Sequence, residues 1–262
     1  MERLFITALL TAAFMSTTAL AQETQPLEGD TWTEIGAYGF MSDISGDATI
    51  SNVTTDVDVP FKDLLENLDF GAMAFIEHRR GKWSLIGDLF YVKISVDDTV
   101  ASNPILSVTL DAEVKQLLLE GFVGYRVFER DIGDTQLGID ILGGVRYNSL
   151  EVDIGVQASL LGLTASASRN RTEDWADGVV GVRAKYGGSS GWGASGWADI
   201  GKGSDSSSYQ LAGFVNYRFE NKVNLFGGYR HLSFEWEDSS GASRIKLDLD
   251  YSGPILGVSY RF

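Results

Sequence analysis

The chain has no cysteine, only two histidines and only four prolines among its 262 residues. Without cysteine there are no disulfides and no thiolate chemistry. With two histidines and no thiolate, a transition-metal site would need carboxylates, and no stretch has metal-ligand spacing. Few prolines leave long segments free to keep every ladder hydrogen bond. No uninterrupted apolar run reaches the ~18 residues that a membrane-spanning helix needs. Positive charge is also short: 21 Lys and Arg stand against 36 Asp and Glu, a net charge of −15. That argues against nucleic acid as a partner and against simple attraction to anionic lipid.

What is present is glycine, 30 residues of it, and many aromatics. This composition favours one large all-β domain. The chain opens with Arg3, a short apolar run from Leu4 to Phe14, then Ser16, Thr17 and Thr18. Ala19-Leu20-Ala21 follows as a small-x-small site. Residues 1–21 are therefore expected to be a secretory signal peptide cleaved after Ala21, and 22–30 a periplasmic leader containing Pro26.

From residue 31 the pattern alternates. Ten strands are expected, at 31–43, 69–80, 82–97, 109–128, 135–153, 164–186, 191–202, 208–219, 222–238 and 244–262. Eight or twelve are the alternatives. Four short connections, around Gly81, Gly133, Gly187–Gly191 and Asn221, alternate with longer loops. Such asymmetry matches the periplasmic turns and extracellular loops of bacterial barrels. Trp83, Tyr125, Phe128, Tyr186, Trp192, Tyr217, Phe219, Tyr260 and Phe262 gather beside the short turns, as an interfacial girdle would.

Two internal repeats support a hairpin-built barrel. Gly121-Phe122-Val123-Gly124-Tyr125-Arg126 matches Gly213-Phe214-Val215-Asn216-Tyr217-Arg218, with a looser copy ending at Arg183. Gly143 to Asp153 matches Gly227 to Glu237. Arg79 also precedes a short turn, and Arg261 ends the last strand.

If Ser239 to Ala242 is a turn, Glu237 meets Arg244, Glu235 meets Lys246, Trp236 meets Ile245, Phe234 meets Leu247 and Leu232 meets Leu249. Charges then pair on one face and apolar residues on the other. Further along, Leu256, Val258 and Tyr260 share the parity of Asp248 and Asp250, so a bulge is expected near Gly253-Pro254. The strand also exceeds the ~9–11 residues that cross a bilayer, so the sheet should rise above the membrane.

The raised part is acidic, with an extracellular rim that includes Glu151, Asp153, Glu235 and Glu237. Two readings stand open: a cation funnel or divalent-ion bridge to lipopolysaccharide, or a solvated rim.

Signal peptide, alternation, asymmetric turns and terminal Phe262 together resemble the small bacterial outer-membrane β-barrels of the OmpA-barrel and OmpW-like, porin-like kind. The resemblance implies an outer-membrane location, contact with lipid and lipopolysaccharide, and reading of Phe262 by the barrel-assembly machinery. It transfers no functional residue.

His231 and Ser233 share a strand face, and the register above puts Asp250 opposite His231. A hydroxyl, an imidazole and a carboxylate are the parts of a nucleophilic triad. Outer-membrane phospholipases and lipid A deacylases look similar, but Phe234 follows this serine and Asp248 competes for the third role. The competing reading is a polar barrel-wall network. Residues 61–68 form an amphipathic helix in the longest loop, able to plug the lumen or to pack on its mouth.

The expectation is a single all-β domain over residues 31–262, a transmembrane antiparallel up-and-down barrel. Its lumen, closed or very narrow, would be lined by residues such as Asp140, Arg146, Arg218 and Arg261. The function expected is non-enzymatic, a narrow pore or a structural and ligand-binding barrel without cofactor. The alternative is a lipid hydrolase using Ser233, His231 and Asp250.

Overall fold

A computed structural model describes residues 31–50, 53–102, 106–160, 163–238 and 245–262. Residues 1–30, expected to hold a signal peptide and leader, and residues 239–244, with the expected turn at 239–242 and Arg244, lie outside the described residues.

The described elements, in chain order, are β1 (Thr31–Phe40), β2 (Asp43–Ile50), β3 (Val53–Val59), α1 (Phe61–Glu66), β4 (Leu68–Arg80), β5 (Trp83–Ser102) and β6 (Leu106–Ile132). They continue with β7 (Thr135–Leu160), β8 (Leu163–Gly188), β9 (Trp192–Lys202), β10 (Ser206–Arg218), β11 (Val223–Asp238) and β12 (Ile245–Arg261). Ten of them, β1 and β4 to β12, pair antiparallel with their chain neighbours and close where β1 meets β12. The result is the ten-stranded up-and-down barrel expected from the alternation, and closure leaves it no edge in the membrane.

β2 and β3 are extra to the barrel, and the strand expected at 31–43 runs on into them. The register Glu34↔Arg261 to Phe40↔Ile255 continues unbroken as Asp43↔Ser252 to Ile50↔Ile245. The Met41 amide spans the break by donating to the Pro254 carbonyl at 2.9 Å. The other edge changes partner. β1 pairs with β4 up to Ala37↔Ala74, whereas β2 pairs with β3. The wall forks there, and α1 returns the chain from β3 to β4. None of the helix's residues is buried, so it does not plug the lumen. Gly46 is fixed by close approach. Its φ is +137°, and a Cβ would lie 2.0 Å from the Asp248 carbonyl oxygen.

The bulge expected near Gly253-Pro254 is absent: β11 and β12 stay in one register from Val223↔Tyr260 to Asp238↔Ile245. What changes along β12 is the environment. Leu256, Val258 and Tyr260 face outward and are exposed, and so form part of a lipid-facing band. Further up, the same face carries Asp250, Asp248 and Lys246 toward water. The inward face inverts in the opposite sense, from Arg261 and Ser259 to buried Ile255, Tyr251, Leu249 and Ile245. A strand that leaves the membrane keeps its parity and exchanges the chemistry of its faces. The sequence rule of one apolar face per strand holds only within one solvent.

The last hairpin has the expected faces but pairs two residues off. Glu237 meets Lys246, Glu235 meets Asp248, Trp236 meets Leu247, Phe234 meets Leu249, Leu232 meets Tyr251, Ser233 meets Asp250 and His231 meets Ser252. A shift of two preserves every face because the side-chain period is two. Lys246 still reaches Glu235, diagonally, at 2.6 Å.

β6, β7 and β8 are 26 or 27 residues long and rise well above the bilayer. β9 and β10 end lower, with Lys202 opposite Gly178 and Ser206 opposite Trp236. Between the taller walls lies an apolar core that includes Phe90, Leu118, Trp175, Leu232, Phe234 and Tyr251. Trp175 stacks on Trp236 with ring centroids 5.6 Å apart. Each such side chain contributes about 1.5–3 kcal/mol on burial. The core fills the inner side of these strands toward the loop end.

Candidate functional site in the barrel lumen

Five strands run down to the short turns or to the chain end, and each brings one inward-facing arginine there: Arg79, Arg126, Arg183, Arg218 and Arg261. Strand parity turns them inward. Asp140 accepts hydrogen bonds from Arg79 at 2.7 Å, Arg126 at 2.5 Å and Arg183 at 2.8 Å. Glu77 receives Arg183 through both oxygens, at 2.8 and 3.0 Å, and Lys185 at 2.8 Å. Glu34 receives Arg261 at 2.7 Å and the Ser259 hydroxyl at 2.5 Å. The Arg261 guanidinium also lies over the Trp32 ring, 3.7 Å from its centroid.

A second tier sits toward the loops. Glu120 bridges Arg146 at 2.7 Å and Arg230 at 2.6 Å. Asp199 accepts from Arg146 at 2.9 Å, Trp197 at 2.6 Å and Gln210 at 3.0 Å. Asp177 accepts from Ser206 and Ser208. Tyr38 donates to Asp88 at 2.8 Å. Arg79, Asp140, Arg146 and Asp177 are fully buried. Buried charge is tolerated only when paired and hydrogen-bonded. Arg79, Asp140 and Arg146 meet that condition through ion pairs between strands, and Asp177 is held by two serine hydroxyls.

Residues of both tiers, among them Glu34, Glu77, Arg183, Glu120 and Arg230, line one side of a cavity of about 440 Å³. Trp32, Phe75, Phe214, Phe226 and Arg218 line it, and its lining extends to Ser189, Gly191 and Glu220 in the turns. It therefore opens at the turn end.

Of the residues named from sequence, Asp140 and Arg146 lie at the centres of the two tiers, Arg261 is bound to Glu34, and Arg218 lines the cavity. Sequence reasoning missed Glu34, Glu77, Arg79, Glu120, Arg183 and Asp199 as lattice members. The usable signal was an acid sharing the inward parity of a turn-end arginine.

His231, Ser233 and Asp250 occupy the outer face instead, just above the lipid-facing band. The two ring nitrogens of His231 bond Ser252 Oγ at 2.5 Å and the Tyr209 hydroxyl at 2.9 Å. Asp250 lies 3.9 Å from the imidazole. Among the described residues no hydrogen bond joins His231 to Ser233, so the structure does not assemble the three as a triad. Among the described residues there is also no cluster of three or more metal-ligating side chains.

The rim acids are partly neutralised. On the outer face above the membrane Lys93, Glu113, Lys115 and Glu151 form a ladder across β5, β6 and β7, with contacts of 2.8, 2.9 and 2.9 Å. Hydrogen bonds from Lys115, and then from Lys93, hold the Glu113 carboxyl below its ordinary value. Lys115 does the same to Glu151. Asp153 accepts from Asn170, and Glu235 is the partner of Lys246.

An apolar outer band, a polar inner lattice and closure of β1 on β12 define a transmembrane antiparallel β-barrel of the outer-membrane kind. No protein-family model and no curated protein matches the chain. Among solved structures, the fold is similar to the outer membrane protease OmpT of Escherichia coli, at 12% identity and TM-score 0.42, over 94% of this chain and 100% of that one. It is also similar to Ail of Yersinia pestis, crystallised with a heparin analogue, at 10% identity and TM-score 0.33, over 88% and 98%. Neisserial surface protein A matches at 10% identity and TM-score 0.30, over 89% and 98%. These likenesses concern fold alone.

Proposed function

We propose that this is a non-enzymatic outer-membrane protein whose barrel is closed, a structural and ligand-binding barrel rather than a diffusion pore. The observation that carries this reading is double closure. The arginine–carboxylate lattice crosses the lumen, and the apolar core seals it above. An ion entering from the turns would have to break charge-assisted bonds in low dielectric and then cross packed aromatics. The short turns face the periplasm and the acidic rim faces outward, toward lipopolysaccharide. The terminal Phe262 is exposed at the turn end, where the barrel-assembly machinery would read it.

The lipid-hydrolase alternative lacks a contact between Ser233 and His231: the imidazole nitrogens bond Ser252 and Tyr209 instead. Two assays test the proposal on the refolded protein in phospholipid and lipid A vesicles: small-sugar permeability and release of fatty acid. Neither is expected. Sugar entry would establish a pore, and acyl release abolished by Ser233→Ala would establish the hydrolase.

A further inference from the structure

The hairpins β6–β7 and β10–β11 are copies in sequence and in place. Arg126 corresponds to Arg218 in the first repeat, and Arg146 to Arg230 in the second. The same spacing sets Asp140 against Asn224. In the first hairpin Arg126 stands opposite Asp140 in the ladder and bonds it. In the second, Arg218 stands opposite Asn224. The copy has lost its carboxylate and kept its arginine.

The consequence is visible in the lumen. Arg79, Arg126, Arg146, Arg183, Lys185, Arg230 and Arg261 each have a carboxylate within 4.0 Å. Among the described residues Arg218 has none, and its buried Nε has no acceptor. Trp32 lines the same cavity, is 6% exposed, and its indole N–H also lacks an acceptor. Buried donors without acceptors are costly, and two in one cavity ask for the same kind of partner. Phe75, Phe214 and Phe226 give the cavity an aromatic wall, beside paired charges such as Glu34 with Arg261 and Glu77 with Lys185. The volume falls in the range of small-molecule sites.

We infer that the turn-end cavity binds a small organic monoanion, one carboxylate on an apolar or aromatic body, with Arg218 holding the carboxylate. This rests on the closed-barrel reading and names its ligand class. Arg218 is the inward-facing lining cation without a carboxylate contact among the described residues, and one negative charge matches it; Lys222, also on the lining and without such a contact, is exposed at the turn end. A neutral analogue leaves Arg218 unpaired, and a fully polar anion leaves the aromatic wall unused. The indole N–H of Trp32 supplies a second donor, and entry is from the turn end.

The test uses benzoate as probe and benzamide as its neutral counterpart, on the refolded full barrel in a non-ionic detergent. The readout is the Trp32 indole N–H resonance, assigned by loss in Trp32→Phe. Benzoate is expected to give a saturable shift, with benzamide at least tenfold weaker. Arg218→Gln should abolish the difference between them, and Arg218→Lys should keep most of it. Asn224→Asp restores the missing carboxylate beside Arg218 and should abolish benzoate binding. It remains informative even where Arg218→Gln does not fold. Equal binding of the two probes, no saturable shift at millimolar benzoate, or undiminished benzoate binding by Asn224→Asp would overturn the inference. Conductance on the same preparation separates the failures. A silent barrel that ignores benzoate sinks this inference alone, whereas a conducting one sinks the closed-barrel reading.

Discussion

Leu249 and Leu256 lie seven residues apart on β12 and face opposite ways, one 8% exposed inside the barrel and the other 65% exposed toward lipid. Both positions are apolar for different reasons. Leu256 meets hydrocarbon, and Leu249 packs in the core toward the loop end. The strand crosses from one solvent to another between them. Leu256→Lys is expected to cost about 2–4 kcal/mol in bilayer unfolding titrations, the penalty for a cation on the lipid face. Asp248→Ala, on that same face above the membrane, should stay within about 0.5 kcal/mol. Leu249→Asp would be tolerated in a water-filled lumen; here it should be severely destabilising.

Asp140 accepts hydrogen bonds from three guanidinium groups at once. Asp140→Asn is isosteric but leaves Arg79, Arg126 and Arg183 with too little negative charge in a buried place. A loss of about 3–5 kcal/mol is expected, the range for breaking a buried ion pair from one side. Glu129, an exposed partner of Arg126, provides the control, since Glu129→Gln should change stability by no more than about 0.5 kcal/mol. Equal effects of the two would mean that the lattice does not hold the walls.

Phe234 packs against Trp175 and Tyr251, with ring centroids 5.8 and 5.0 Å away. Phe234→Ala should cost about 3–5 kcal/mol through lost burial and the cavity left behind. Protease sensitivity should appear first in the tall strands, because the core that joins them is local.

The ladder on β5–β7 sets a pH dependence. The folded carboxyls of Glu113 and Glu151 lie below their ordinary value of 4.5. Their contribution is therefore present above the ordinary carboxylate range and is lost as pH falls through the folded values. Water screens these exposed pairs, so the effect should be small and weaken in salt. Limited proteolysis of the loop-side sheet should accelerate below about pH 4.5, and Glu113→Gln should flatten that change.

Much of this fold was legible because a β-barrel writes itself locally. Alternation, short turns with glycine, and girdle aromatics such as Trp83 and Tyr217 each belong to one strand. Even the five turn-end arginines are visible, since each precedes a short turn or ends the chain. The rest depends on relations between strands. The pairing of Glu77 with Arg183 follows from barrel shear, which no single segment encodes. The two-residue error in the last hairpin arose in its turn, because the face pattern cannot distinguish registers that differ by two. The β2–β3 hairpin is not legible as strand from Ile44 to Val59 alone, because its pairing partner is the distant upper half of β12. The supposed bulge at Gly253-Pro254 came from applying one solvent to a strand that meets two.

A lumen closed by the arginine–carboxylate lattice and the aromatic core should not conduct. Single-channel recording of the refolded barrel in a planar bilayer, with folding verified by heat-modifiable gel mobility, is the measurement to make. A flat trace is expected at both polarities and at high salt. Discrete, stable current steps from the wild-type protein would contradict it.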